Sequence, residues 1–165
     1  MFSFHKNKFP IGIDISGGSV KIVQLGLNNK KQVSIRAYTL IPLPKGVVVE
    51  DVIMDSQTLS FQLKQAIERP KFGAFTGNRV CVSVPEAKSF VRVIHIPHMS
   101  DAEVDQAIPF EAESYIPIPI EQVYLDWEKL EEENGRMAIL LIATPKENGD
   151  KFLSVFDKMK LTPEV

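Results

Sequence analysis

Ile11-Gly-Ile-Asp-Ile-Ser-Gly-Gly-Ser-Val-Lys-Ile-Val-Gln-Leu25 is the stretch on which the fold turns. Ile11, Ile13 and Ile15 alternate with Gly12 and Asp14, the period of a half-buried strand. Val20, Ile22 and Val23 open a second strand, and the Gly/Ser link between the two is short enough for a hairpin. Asn28-Asn29-Lys30-Lys31 forms a polar turn. It leads into a third strand over 32–42, with Val33, Ile35, Ala37, Thr39 and Ile41 expected on one face. Three hairpin-connected strands therefore open the chain.

The same link carries a chemical argument. Gly17 and Gly18 remove the Cβ atoms that would obstruct a phosphate and allow positive φ, so that several backbone N–H groups can converge on an anion. Ser16 and Ser19 add hydroxyls. Asp14, at the end of the first strand, could hold hydrated Mg²⁺, and Lys21 would bring positive charge to the phosphates. An ordinary hairpin turn with a surface Asp and a surface Lys is the alternative, and the residues alone leave both readings open.

Downstream, Asp55 or Ser56 can cap a helix whose buried face is Leu59, Leu63 and Ile67, ended by Pro70 and Gly73. Val80-Cys-Val-Ser-Val84 reads as a central, doubly covered strand stopped by Pro85. A strand over 90–96 follows. Ser100-Asp-Ala-Glu103 is a capping box that starts a helix running to about Tyr115, broken or bent at Pro109. Ile116-Pro-Ile-Pro-Ile120 must be extended. Strands over 123–130 and 137–143 flank an acidic turn. Thr144 and Pro145 start a last helix with Phe152, Val155, Phe156 and Met159 on its apolar face. The order βββ-α-β, then β-α-β-β-α, is an α+β arrangement. It divides as 1–87, 88–144 and 145–165, with a boundary near Pro85 to Lys88 and the last segment a helix leading into a link.

Composition narrows the function classes. With 44% hydrophobic and 24% charged residues the chain is a folded domain, and a net charge of −2 offers no broad basic surface for nucleic acid. Cys81, the single cysteine, excludes an intrachain disulfide and reads as a small buried hydrophobe. No apolar run reaches the about 18–20 residues that span a bilayer. The opening nine residues lack the apolar core of a secretion signal. The Phe residues there, interleaved with His5, Lys6 and Lys8, fit either a locally packed terminus or contact with an anionic membrane surface. His5, His95 and His98 have no metal-ligand spacing. Glu111, Glu113 and Glu121 read as solvated carboxylates, and no Ser-His-Asp or Cys-His set occurs.

The opening hairpin resembles the first phosphate motif of the superfamily of actin, heat-shock chaperones and sugar kinases, and looks most like its PilM branch. Val80-Cys-Val-Ser-Val-Pro85, Ile96-Pro-His-Met-Ser-Asp-Ala-Glu103 and Phe110-Glu-Ala-Glu-Ser-Tyr-Ile-Pro-Ile-Pro-Ile-Glu-Gln-Val123 are similar to PilM as well. The resemblance implies an actin-like (ribonuclease H-like) first subdomain followed by a strand-helix-strand-strand (SHS2) subdomain. Family members continue into a second lobe that completes the nucleotide cleft, and its motifs do not occur by Val165. The loop also has Ser16 then Gly17 where the family pattern has Gly then Ser.

For function, the resemblance implies a scaffold at the cytoplasmic face of the inner membrane. It would dock the cytoplasmic N-terminal tail of PilN between the two subdomains, beside other type IV pilus inner-membrane components, and reach the membrane only through partners. ATP and Mg belong to full-length members, with none expected on this fragment, which is read as no enzyme by itself. Asp14, Ser16, Gly17, Gly18, Ser19 and Lys21 would face the phosphates, Asp14 holding Mg through water. Val93, Ile94, Ile96 and Phe110 are the expected tail contacts: a strand edge beside an aromatic offers both ladder bonds and a pocket. The alternatives are the first lobe of an actin-like ATPase or kinase and an FtsA-like cell-division adaptor.

Overall fold

A computed structural model describes residues 9–16, 18–83, 89–133 and 135–164. The basic, Phe-bearing start, Gly17 and the expected boundary at 85–88 lie outside these residues. The chain forms two compact units, Met1–Val84 with Lys151–Val165, and Pro85–Asp150.

Unit 1 is built on a sheet begun by the expected meander: β1 (Ile11–Ser16), β2 (Ser19–Leu27) and β3 (Val33–Pro42), each antiparallel to the one before. The short strand β6 (Phe72–Gly73) pairs with β3. On the other side β7 (Arg79–Ser83) runs parallel to β1, and β11 (Thr162–Pro163) runs parallel to β7. A two-residue ladder joins β4 (Val48–Val49) to β5 (Val52–Ile53). One face of the large sheet is core: Ile11, Ile13, Ile15, Val20 and Ile22 meet Leu59, Leu63 and Ala66 of helix α1 (Ser56–Glu68). A fully buried Leu or Ile contributes about 1.5–3 kcal/mol, so this face dominates the stability of the unit. Asp55 caps α1 by accepting from the backbone N–H groups of Gln57 and Thr58.

Four readings change. The last segment is no separate link. Phe152, Val155 and Phe156 of helix α3 (Lys146–Lys158) complete the core of unit 1, and β11 extends its sheet, held by the Arg79–Glu164 ion pair. Pro145 ends a strand instead of opening that helix. Cys81 is exposed rather than buried, because β7 alternates and is covered on one face only. Val33 and Ile35 do not share a face with Ala37 and Thr39. The β2–β3 register slips between Gln24 and Leu25, leaving Arg36 as the extra residue, and a bulge reverses which side chains point inward.

Unit 2 has three antiparallel strands, β8 (Phe90–Pro97), β9 (Val123–Glu133) and β10 (Arg136–Pro145), in the order β8-β10-β9. Helix α2 (Asp101–Glu113) covers one face with Val104, Ile108 and Ala112. Its start has the expected Ser100–Glu103 box, in which the Glu103 carboxylate accepts from the Ser100 N–H at 2.8 Å and from the Ser100 hydroxyl at 2.7 Å. The helix continues on both sides of Pro109, as expected. The Ile-Pro run closes with a 3-10 turn, Ile120–Gln122, that Ile116 and Val123 flank from within the core.

Candidate functional site

The β1–β2 hairpin brings Asp14 opposite Lys21, and the parallel β1–β7 pairing brings Ser83 opposite Asp14. The Lys21 ammonium lies 2.7 Å from one Asp14 carboxylate oxygen, and the Ser83 hydroxyl donates to the other at 2.9 Å. The hydrogen bond from Lys21, then that from Ser83, holds the Asp14 carboxyl below its ordinary value against a smaller opposing effect of burial. Ser83 was missing from the sequence reading. It lies 69 positions from Asp14 and only parallel pairing places it there.

The rest of the turn is arranged differently from the expectation. The Ser16 hydroxyl donates to the Ser19 carbonyl at 3.3 Å, so it braces the turn. Gly18 does not adopt the positive φ for which glycine was invoked, but a Cβ there would meet nothing within 4 Å, so the approach to its backbone is open. The Gly18 carbonyl accepts from the Leu43 N–H, which ties the turn to the end of β3. Asp14 and Lys21 are both about half exposed. An ionised carboxylate suits a water-mediated Mg²⁺ and an ammonium suits a phosphate, so the donor set fits both. In the present geometry each neutralises the other, and binding would require the pair to part.

The four expected tail contacts do not form one surface. Ile94 is 3% exposed and Ile96 1%; both lie in the core of unit 2, so their side chains are unavailable to a partner. The reason is phase: β8 alternates, and Ile94 and Ile96 share the parity that faces α2, whereas Val91 and Val93 face outward. Phe110 is 75% exposed. Two residues from both Ile108 and Ala112, it projects from the side of α2 opposite the sheet. Val93 and Phe110 therefore lie on opposite sides of a two-layer unit.

Two features of unit 2 were missed. At the start of β8 a cavity of about 280 Å³ is lined by Phe90, Arg92, Tyr115, Ile116 and Leu141, with the Arg92 guanidinium 5.3 Å above the Tyr115 ring. The other is the free edge of β8, which among the described residues pairs only with β10. No group of three or more His, Cys, Asp or Glu that could hold a metal occurs among the described residues. None of their helices is long and apolar enough to cross a membrane.

A βββ meander carrying an acidic–basic turn, followed by a strand-helix-strand-strand unit, defines an α+β protein of two units. The family described as type IV pilus assembly protein PilM matches residues 12–165, and the chain belongs to it. Among solved structures it is similar to the "PilM-PilN type IV pilus biogenesis complex", at 24% identity and a TM-score of 0.83 over 97% of this chain. It also shares its fold with the cytoplasmic domain of EpsL, an inner-membrane component of the type II secretion system of Vibrio cholerae, at 11% identity and a TM-score of 0.57 over 93% of this chain. It spans about half the length of each, 47% and 54%.

Proposed function

We propose that this chain is a docking part of the type IV pilus assembly platform, binding the N-terminal cytoplasmic tail of a PilN-type protein at the cytoplasmic face of the inner membrane. Family membership supports the pilus role, and the PilM-PilN neighbour supports the partner. The observation that carries the docking mode is the unpaired edge of β8 with a cavity at its start. An extended tail would add a strand along that edge and seat an apolar side chain beside Tyr115 and Ile116. A fluorescently labelled peptide of the first residues of the PilN from the same organism tests this by anisotropy. Tyr115→Ala is expected to weaken binding about tenfold, and Phe110→Ala to leave it unchanged. Absence of binding by the folded chain, or equal affinity for the Tyr115 variant, would overturn the docking mode.

The β1–β2 turn would serve nucleotide binding where a second lobe closes the cleft. There Asp14 would hold Mg²⁺ through water, Lys21 would face the phosphates, and Ser16, Gly17, Gly18 and Ser19 would supply the turn; Ser83 would orient the Asp14 carboxylate. Bound Mg²⁺ would supply charge neutralisation at the phosphates. The 165-residue chain itself is proposed to turn over no ATP. Phosphoryl transfer needs groups on all sides of the phosphate, and these donors come from one hairpin and one adjoining strand. Phosphate release from Mg-ATP is expected at background. Turnover that Asp14→Ala abolishes would favour the ATPase reading instead.

A further inference from the structure

The face of the unit 2 sheet turned away from α2 has an ordered chemistry. Cross-strand register sets its rows: Val91 beside Ile142 beside Asp126, then Val93 beside Leu140 beside Glu128. Val91, Val93 and Ile142 are each between a third and a half exposed, and Leu140 is partly covered. Two strands thus present an apolar stripe while the third presents carboxylates. Neither Asp126 nor Glu128 has an ion-pair partner among the described residues; Asp126 accepts only the backbone N–H of Trp127. At one end stand His95 and Arg136, whose guanidinium donates to the His95 carbonyl. At the other end Tyr124 donates to Asp150 and lies under the Lys146 ammonium. The unneutralised charge along the middle of the face is negative.

We propose that this face docks a basic amphipathic helix of a partner protein. Three strands about 4.8 Å apart make a surface about 10 Å wide, the diameter of one helix. The first turn of α3 already packs on Tyr124, and the three rows from Asp126 to His95 extend about 14 Å, room for roughly nine helical residues at 1.5 Å each. The opposite face of the same sheet already carries a helix of 13 residues, α2. Leucine-type residues would cover Val91, Val93, Leu140 and Ile142, and lysines or arginines on one flank would meet Asp126 and Glu128. An anionic membrane would be repelled by that acidic row, and an extended strand would pair at the β8 edge instead of lying on the face. Val91 borders the Arg92–Tyr115 cavity as well, but Val93, Leu140, Ile142, Asp126 and Glu128 do not line it, so changes at those positions test the face apart from the tail-docking reading.

The test uses the whole chain and two synthetic 14-residue helical peptides, one of leucine and lysine, the other of leucine and glutamate. Titration calorimetry gives affinity, and amide hydrogen exchange locates the bound peptide. The leucine–lysine peptide is expected to bind and to slow exchange in β8, β9 and β10. Asp126→Lys with Glu128→Lys is expected to weaken it by about tenfold or more and to transfer preference to the leucine–glutamate peptide. Val93→Glu, a change at an exposed position, keeps the test available if the double variant folds poorly. Phe110→Ala, on the far side of α2, is expected to leave affinity unchanged. Equal affinity in the charge-reversed or Val93 variants, or protection confined to unit 1, would overturn the proposal. So would a dimer that Val93→Glu dissociates in the absence of peptide, which would assign the face to a second copy.

Discussion

Asp14 and Gln24 show how differently two polar residues of one hairpin are used. Asp14 is partly exposed, and its carboxyl is held below its ordinary value of 3.8 first by Lys21 and then by Ser83. A group depressed on folding contributes stability that is present above its unfolded pKa and lost as pH falls through its folded one. Asp14→Asn is therefore expected to cost little at pH 7, at most about 1 kcal/mol because solvent screens the pair. The difference from the parent should shrink as pH falls through the lowered folded-state pKa of Asp14. Thermal melts of both proteins from pH 7 to pH 2 check this; a gap that stays constant across that range would refute the assignment. Gln24 is instead 1% exposed. Its amide donates to the Phe9 and Thr76 carbonyls at 2.8 and 2.7 Å and accepts from the Thr76 N–H at 2.9 Å. Nothing in the local sequence distinguishes such a buried, fully partnered Gln from a solvated one, because Thr76 lies 52 positions away.

At the scale of elements, local signals were legible and non-local ones were not. The hairpin turn, the Asp55 cap, the Ser100–Glu103 box and the helix through Pro109 are written in adjacent residues. The Arg36 bulge is not, since a one-residue slip leaves composition and alternation unchanged while reversing the faces. The final helix could not be assigned to unit 1 either, because its Phe152, Val155 and Phe156 find their partners among residues far earlier in the chain. The site was half legible for the same reason: Asp14 and Lys21 share a hairpin, Ser83 arrives by parallel pairing, and only the phase of β8 separates Ile94 and Ile96 from Val93. Pro109 lies inside α2, where an N–H is wanted. Within α2 it supplies no N–H to the carbonyl four residues earlier, that of Asp105, and its ring crowds that carbonyl. Pro109→Ala should raise stability by about 1–3 kcal/mol. A urea midpoint that stays put or falls would mean that α2 has already accommodated the ring at no cost.

Across the whole molecule, the described residues cover the unit 1 sheet on one side only. The reversal at Arg36 places Val33 and Ile35 beside Leu27 and Leu25, and Tyr38 and Leu40 beside Val23 and Lys21. Phe72 adds a ring stacked on Tyr38 with centroids 5.5 Å apart. Val23, Leu25, Leu27, Val33, Ile35, Tyr38, Leu40 and Phe72 are all among the exposed large hydrophobic residues. Together they expose on the order of 600–800 Å² of apolar surface, above the about 300–600 Å² of the largest patch on a typical monomer. Scattered exposed hydrophobes need no cover, but a contiguous sheet face of this size favours association in water, since burying it gains roughly 25 cal/mol per Å². The 165-residue chain is therefore expected to bind the dye ANS in its folded state and to self-associate as its concentration rises. Leu27→Glu with Ile35→Lys should reduce both effects while changing stability by no more than about 0.5 kcal/mol for each exposed position. Sedimentation velocity across a concentration series, run beside dye titrations and melts, measures all three quantities. A parent chain that stays monomeric without taking up dye would show the face to be shielded in solution. Unchanged association in the double variant would move the contact to another surface.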